Sequence, residues 1–125
     1  QLFYGILDMS LYDNFDAEKE EVSKRVESLQ NKLTKFPYLK GTHFEASFGH
    51  LDGYAAGYYG YLWSKVYAQD IFSVFEEHGV SNPTIGRELK EKIYEKGESE
   101  DEFLLLESFL KREADDSAFI KSLAV

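Results

Sequence analysis

The stretch Gly49–Trp63, GHLDGYAAGYYGYLW, carries four glycines, four tyrosines and one histidine in fifteen residues. Glycine at 49, 53, 57 and 60 permits unusual backbone angles and close approach of chains, and it weakens any regular helix. A flexible linker has no use for so many rings. Downstream, from about Tyr58 to His78, apolar residues recur at helical spacing, and Gly79 is placed to end the run in a left-handed turn. The stretch therefore reads as a loop feeding a long helix, and the rest of the chain is helical on both sides of it.

Upstream, Leu2, Ile6 and Met9 mark one stripe of a helix over about Leu2 to Tyr12. A second helix is expected over about Ala17 to Thr34, capped by Asn14 or Asp16, with Val22, Val26, Leu29 and Leu33 on one face. Glu18, Glu20 and Glu21 near its start and Lys32 and Lys35 near its end suit the helix dipole. Phe36-Pro37-Tyr38 ends it, and residues 37–57 read as one long loop or two. Downstream, Asn82-Pro83 is a cap with proline in the first turn of a helix reaching about Lys96, with Gly97 at its end. Ser99-x-x-Glu102 has the form of a capping box before FLLLESFL, and Asp115 or Asp116 caps a last short helix. No alternating β-branched run occurs. The expected class is all-α: an irregular helical bundle with a long Gly/Tyr-rich loop, residues 1–125 forming a single segment.

With 43% hydrophobic and 16% aromatic residues, the chain can build a core. A net charge of −9 argues against nucleic-acid partners and against an anionic membrane surface. No apolar run is long enough for a transmembrane helix. Cysteine is absent, which removes disulfides and thiolate chemistry. A cytoplasmic location is expected, with a mitochondrial one as the alternative. The chain opens on Gln1 in mid-pattern, as a piece of something longer would.

The three histidines, His43, His50 and His78, do not form H-E-x-x-H or any other i, i+4 metal pair, so no metal ligand is assigned here. No G-x-S-x-G elbow and no Walker loop occurs. Acidic runs at 18–21 and 98–102 read as solvated charge at helix starts. What is left is the Gly/Tyr stretch. Tyr54, Tyr58 and Tyr61 are spaced four and three apart, so they share a helical face or converge on one cleft. A phenol with a pKa near 10 is a neutral donor at pH 7, suited to a charge that develops on a carbonyl oxygen. On spacing alone, aromatic packing at a helix start is the plainer reading.

FGHLDGYAAGYYGYLWSKVYAQDIF strongly resembles a segment of the thimet oligopeptidase and neurolysin family of zinc metalloendopeptidases, which also includes mitochondrial intermediate peptidase. GTHFEASFGHL (41–51) is similar to that family's GTNMPATFGHL. The likeness continues through Gly79-Val80-x-Asn82, Gly86, Gly97-x-Ser99-Glu100-Asp101 and Phe109–Glu113. It implies a part of a larger, almost wholly helical peptidase domain around a deep channel. By motif it implies that His50 and Tyr61 serve catalysis, donating to the tetrahedral intermediate. Tyr54 and Tyr58 would bind the substrate backbone, and Gly53 and Gly57 would let a mobile loop close over short peptides.

The chain departs from the pattern in two places. Leu51-Asp52-Gly53 is one glycine shorter than in the oligopeptidases and carries an acidic residue, which disfavours acidic peptide ends. Ser122-Leu123-Ala124-Val125 replaces a glycine-containing end. The resemblance also implies that zinc and the general base belong to an H-E-x-x-H upstream of this sequence. These residues alone would then bind no zinc and cleave nothing. Their partners would be short peptides and the remainder of the peptidase chain. The rival expectation is a stand-alone, non-catalytic helical module that binds peptides or other partners.

Overall fold

The computed structural model describes residues 1–123, so the Ala124-Val125 end of the divergent tail lies outside the described residues. Among those residues all regular structure is helical and no strand occurs, as the all-α expectation required. The helices are α1 (Leu2–Asp13), α2 (Val22–Leu33), α3 (Gly60–His78), α4 (Pro83–Leu89), α5 (Glu102–Leu110) and α6 (Ser117–Leu123). None is long and apolar enough to cross a membrane. Contacts gather into two compact units, Gln1–Leu62 and a second from Trp63 onward.

In the first unit α1 packs on α2. Phe3, Leu7 and Val26 are buried, with Leu11, Val22, Leu29 and Leu33 against them. The α2 stripe is the expected one; the α1 stripe is not. Leu2 and Met9 are exposed, and the core face is Phe3-Leu7-Leu11 instead. Helix α1 is apolar on nearly every side, so periodicity alone does not choose its buried face.

Helix α2 also starts later than expected, at Val22. Asp16 caps a separate turn: its carboxylate accepts the Glu18 N–H at 3.1 Å, and its carbonyl accepts those of Lys19 and Glu20. The acidic residues thus precede the helix, and Glu20 accepts from the Nε and Nη2 groups of Arg25. Residues 37–57 form a loop that contains two short 3₁₀ turns, Phe44–Ser47 and Gly49–Leu51.

The second unit buries Ile85, Leu106, Phe109 and Leu110 against Tyr67, Ile71, Val74 and Phe75 of α3. Its helix ends follow local chemistry. Gly79 closes α3 at φ +101°. Asn82 accepts the Thr84 and Ile85 N–H groups, with Pro83 opening α4. Beyond Leu89 the α-helix gives way to a π-helical turn, Lys90–Tyr94, before Gly97 turns the chain at φ +55°. The expected capping box does not form, because Asp101, two residues nearer, takes the Phe103 N–H at 2.9 Å. Asp115 accepts the Ser117 N–H at 2.8 Å and so caps α6.

One buried charge organises this unit. Asp70 of α3 is fully buried and chelates the Arg112 guanidinium, with Nη1 to Oδ2 at 3.0 Å, while the Asp115 N–H donates to Oδ2 at 2.9 Å. The hydrogen bonds to Asp70 hold the Arg112 pKa above the ordinary arginine value, against a burial that disfavours its charge.

Candidate functional site

The Gly/Tyr loop lies wholly within the first unit, against one face of α1. Tyr4, Asp8 and Tyr12 recur at i, i+4 and i+8, so they form a single row. That row meets the loop at three levels. The Tyr4 ring stands edge-on to Tyr58 with centroids 5.5 Å apart. The fully buried Asp8 carboxylate accepts the Ala56 N–H at 3.2 Å and the Tyr58 N–H at 2.8 Å. The Tyr12 hydroxyl donates to the Leu51 carbonyl. Gly5, between them, lies beside Tyr59: a Cβ there would stand in ordinary van der Waals contact, 3.6 Å from the Tyr59 Cα.

Above this base the rings of all four singled-out aromatic residues come together. His50 stacks on Tyr54 at 5.0 Å and 21°, meets the edge of Tyr58 at 4.8 Å and 82°, and lies 5.9 Å from Tyr61. Tyr58 and Tyr61 are 5.0 Å apart. Phe48 backs the cluster, touching His50 and Tyr58, and continues through Phe44 to Tyr4 and Phe3.

The cluster has a buried side and an open side. The His50 Nε2 atom is buried and has no hydrogen-bond partner among the described residues. A buried imidazole nitrogen left unpaired costs free energy. Tyr54 and Tyr61 face outward, 70% and 61% exposed. The hydroxyls of Tyr12 and Tyr38 are spent on the Leu51 and Thr42 carbonyls, whereas those of Tyr54, Tyr58 and Tyr61 have no such bond among the described residues. The site thus offers three phenols and an imidazole around a common centre.

Gly53 and Gly57 shape the backbone that carries these rings. Gly53 sits at φ +151°, a conformation unfavourable for other residues. Gly57 donates to the Tyr54 carbonyl at 2.8 Å, and a Cβ added to it would lie 3.1 Å from that oxygen and 3.9 Å from His50 Nε2. Ala56 between them holds φ +55°, left-handed for a residue with a Cβ.

A zinc ion does not fit the described residues: no group of three or more His, Asp or Glu side chains is placed to hold a metal. His43 is engaged elsewhere, its Nδ1 3.2 Å from the Ser23 hydroxyl and 3.3 Å from Glu45. In the second unit, a cavity lined by Val74, His78, Ile85, Phe109 and Arg112 includes none of the loop residues.

Residue-type reasoning missed Asp8, Tyr4, Tyr12 and Phe48. The available signal was an aspartate inside an otherwise apolar helix, flanked at four residues on each side by tyrosine.

The model of Peptidase family M3 matches residues 1–125. Oligopeptidase A of Haemophilus influenzae is 36% identical to the chain, an alignment covering 97% of this chain and 18% of that protein. Mitochondrial intermediate peptidase of Arabidopsis thaliana is 35% identical over 90% of this chain and 16% of its own length. Saccharolysin of Saccharomyces cerevisiae is 30% identical over 100% of this chain and 18% of its own. The chain therefore spans under a fifth of these relatives. Matched by the family model along its whole length, it belongs to Peptidase family M3.

Proposed function

We propose that this chain is the C-terminal, substrate-facing part of a zinc metallopeptidase that hydrolyses short peptides. The observation that carries the reading is the gathering of the His50, Tyr54, Tyr58 and Tyr61 rings, with Tyr54 and Tyr61 exposed on the open side. Zinc, which the family implies, is in this reading held by other residues of the peptidase, since no group of His, Asp or Glu among the described residues is arranged for it.

What the present residues do follows from their chemistry. Attack on a peptide carbonyl moves negative charge onto its oxygen. Tyr61 donates a phenolic hydrogen to that oxygen, and His50 supplies a second donor. Neutral phenols need not be desolvated as ions, and a donor already in position strengthens its bond as charge develops. Tyr54 and Tyr58 hold the peptide backbone, which every peptide shares, so sequence preference is broad. Exposed apolar side chains such as Phe36, Leu39 and Tyr94 are covered by the remainder of the peptidase in this reading.

In the full-length peptidase, Tyr61→Phe should lower kcat about 10²–10³-fold, the effect of losing one oxyanion donor, and change KM much less. An unchanged kcat on a short fluorogenic peptide would remove Tyr61 from the chemistry.

A further inference from the structure

We infer that Asp8 is a positioning residue for the reaction: its carboxylate fixes the backbone of the Gly/Tyr loop and so sets where Tyr58 and Tyr61 present their phenols. The inference rests on the reading of that loop as the substrate-binding element.

Four observations carry it. Asp8 is fully buried, and a carboxylate removed from water requires donors. Its two oxygens divide between two loop amides, Oδ1 taking Ala56 N–H and Oδ2 taking Tyr58 N–H, across 48 and 50 residues of sequence. The bridged segment holds the left-handed Ala56, a conformation that persists only when its surroundings impose it. Tyr58 and Tyr61 are joined through the first turn of α3, the Tyr61 N–H donating to the Tyr58 carbonyl at 3.3 Å. A displacement at Tyr58 is thus passed to Tyr61. Asp8 acts through the two backbone amides that it binds.

The test uses the full-length peptidase. Asp8→Asn keeps the shape and one acceptor oxygen but turns an amide group toward a backbone N–H. It should lower kcat roughly 10–100-fold, the scale of a misplacement of about 1 Å, with KM within about threefold. Asp8→Ala, which removes both acceptors, should lower kcat further. In a Tyr61→Phe background, Asp8→Asn should cost less than about threefold, because the donor it positions is already gone.

A purely structural role would instead lower the unfolding midpoint, leave kcat per folded molecule intact and add independently to Tyr61→Phe. Either an unchanged kcat in Asp8→Asn or full additivity overturns the inference. If Tyr61→Phe lowers kcat while Asp8→Asn does not, the positioning role falls and the loop's function stands. If Tyr61→Phe has no effect, both fall.

Should Asp8→Asn fail to fold, hydrogen exchange on the unsubstituted protein decides. The Ala56 and Tyr58 amides should exchange at least about tenfold more slowly than those of Gly53 and Ala55. Equal rates would show that Asp8 does not hold the loop.

Discussion

Gly57 approaches Tyr54 so closely that a Cβ on Gly57 would lie 3.1 Å from the Tyr54 carbonyl oxygen, which already accepts the Gly57 N–H. Both groups in the contact belong to the backbone, so no side chain can swing aside to relieve it. The turn between the two tyrosines must open if Gly57 gains a side chain.

Gly57→Ala should therefore lower kcat/KM of the full-length peptidase several-fold by moving Tyr54 and Tyr58 apart. Gly60→Ala is the control, because nothing lies within 4 Å of a Cβ at that position. It should leave kcat/KM within about twofold, and alanine in place of glycine in a helix is favourable by up to about 1 kcal/mol. Equal losses in the two variants would mean that glycine is needed here for flexibility rather than for space.

The second prediction concerns the buried Asp70. Arg112→Ala strips its charged partner and leaves only the Asp115 N–H. Breaking a buried pair costs about 3–5 kcal/mol. Arg112 is 42% exposed, however, so water can enter in its place, and a loss of about 2–3 kcal/mol is expected. Urea unfolding measures it. Asp70→Asn added to Arg112→Ala should cost less than it does alone, since the two changes remove one interaction.

The third prediction is a pH dependence. Burial works against ionisation of Glu45, but hydrogen bonds from the Ser23 hydroxyl, its own amide and His43 outweigh it, and the carboxyl lies below its ordinary value. A depressed carboxyl contributes stability that is present above the ordinary glutamate pKa and is lost as pH falls through the lower, folded value. Glu45→Gln should thus flatten the acid side of the stability profile of the first unit. Parallel profiles for the two proteins, followed by the urea midpoint between neutral and acid pH, would remove Glu45 from the linkage.

Local signals in this chain were legible, and long-range ones were not. Asn82-Pro83 and Gly79 act on their own neighbours, so sequence suffices to place them. Asp101 displaced Ser99 as a cap because both side chains are competent and only backbone geometry chooses between them. The spacing of Tyr54, Tyr58 and Tyr61 was visible, and their meeting with His50 follows from the short turn that links them. Asp8 stood out only as an aspartate in an apolar helix; what it supports was not visible, because nothing local connects α1 to residues fifty positions away. The same distance hid which face of α1 is buried: with apolar side chains all round, the partner decides.

The last prediction uses the left-handed Ala56. At φ +55° its Cβ crowds the following carbonyl, a cost of about 1–2 kcal/mol that glycine does not carry. Glycine brings an opposing cost of about 0.5–1 kcal/mol through the freedom it adds to the unfolded chain. Ala56→Gly should therefore be neutral or stabilising by up to about 1.5 kcal/mol, and its amide remains free to donate to Asp8. Ala56→Val keeps the amide as well, but a β-branched side chain is a genuine outlier in this conformation. The loop must then leave φ +55°, and the N–H that Asp8 accepts at 3.2 Å turns away with it. Thermal unfolding and peptide turnover together separate the cases: Ala56→Gly near the parent in both, Ala56→Val reduced in both. A valine variant as active as the parent would show that the left-handed turn is not required for the arrangement of the tyrosines.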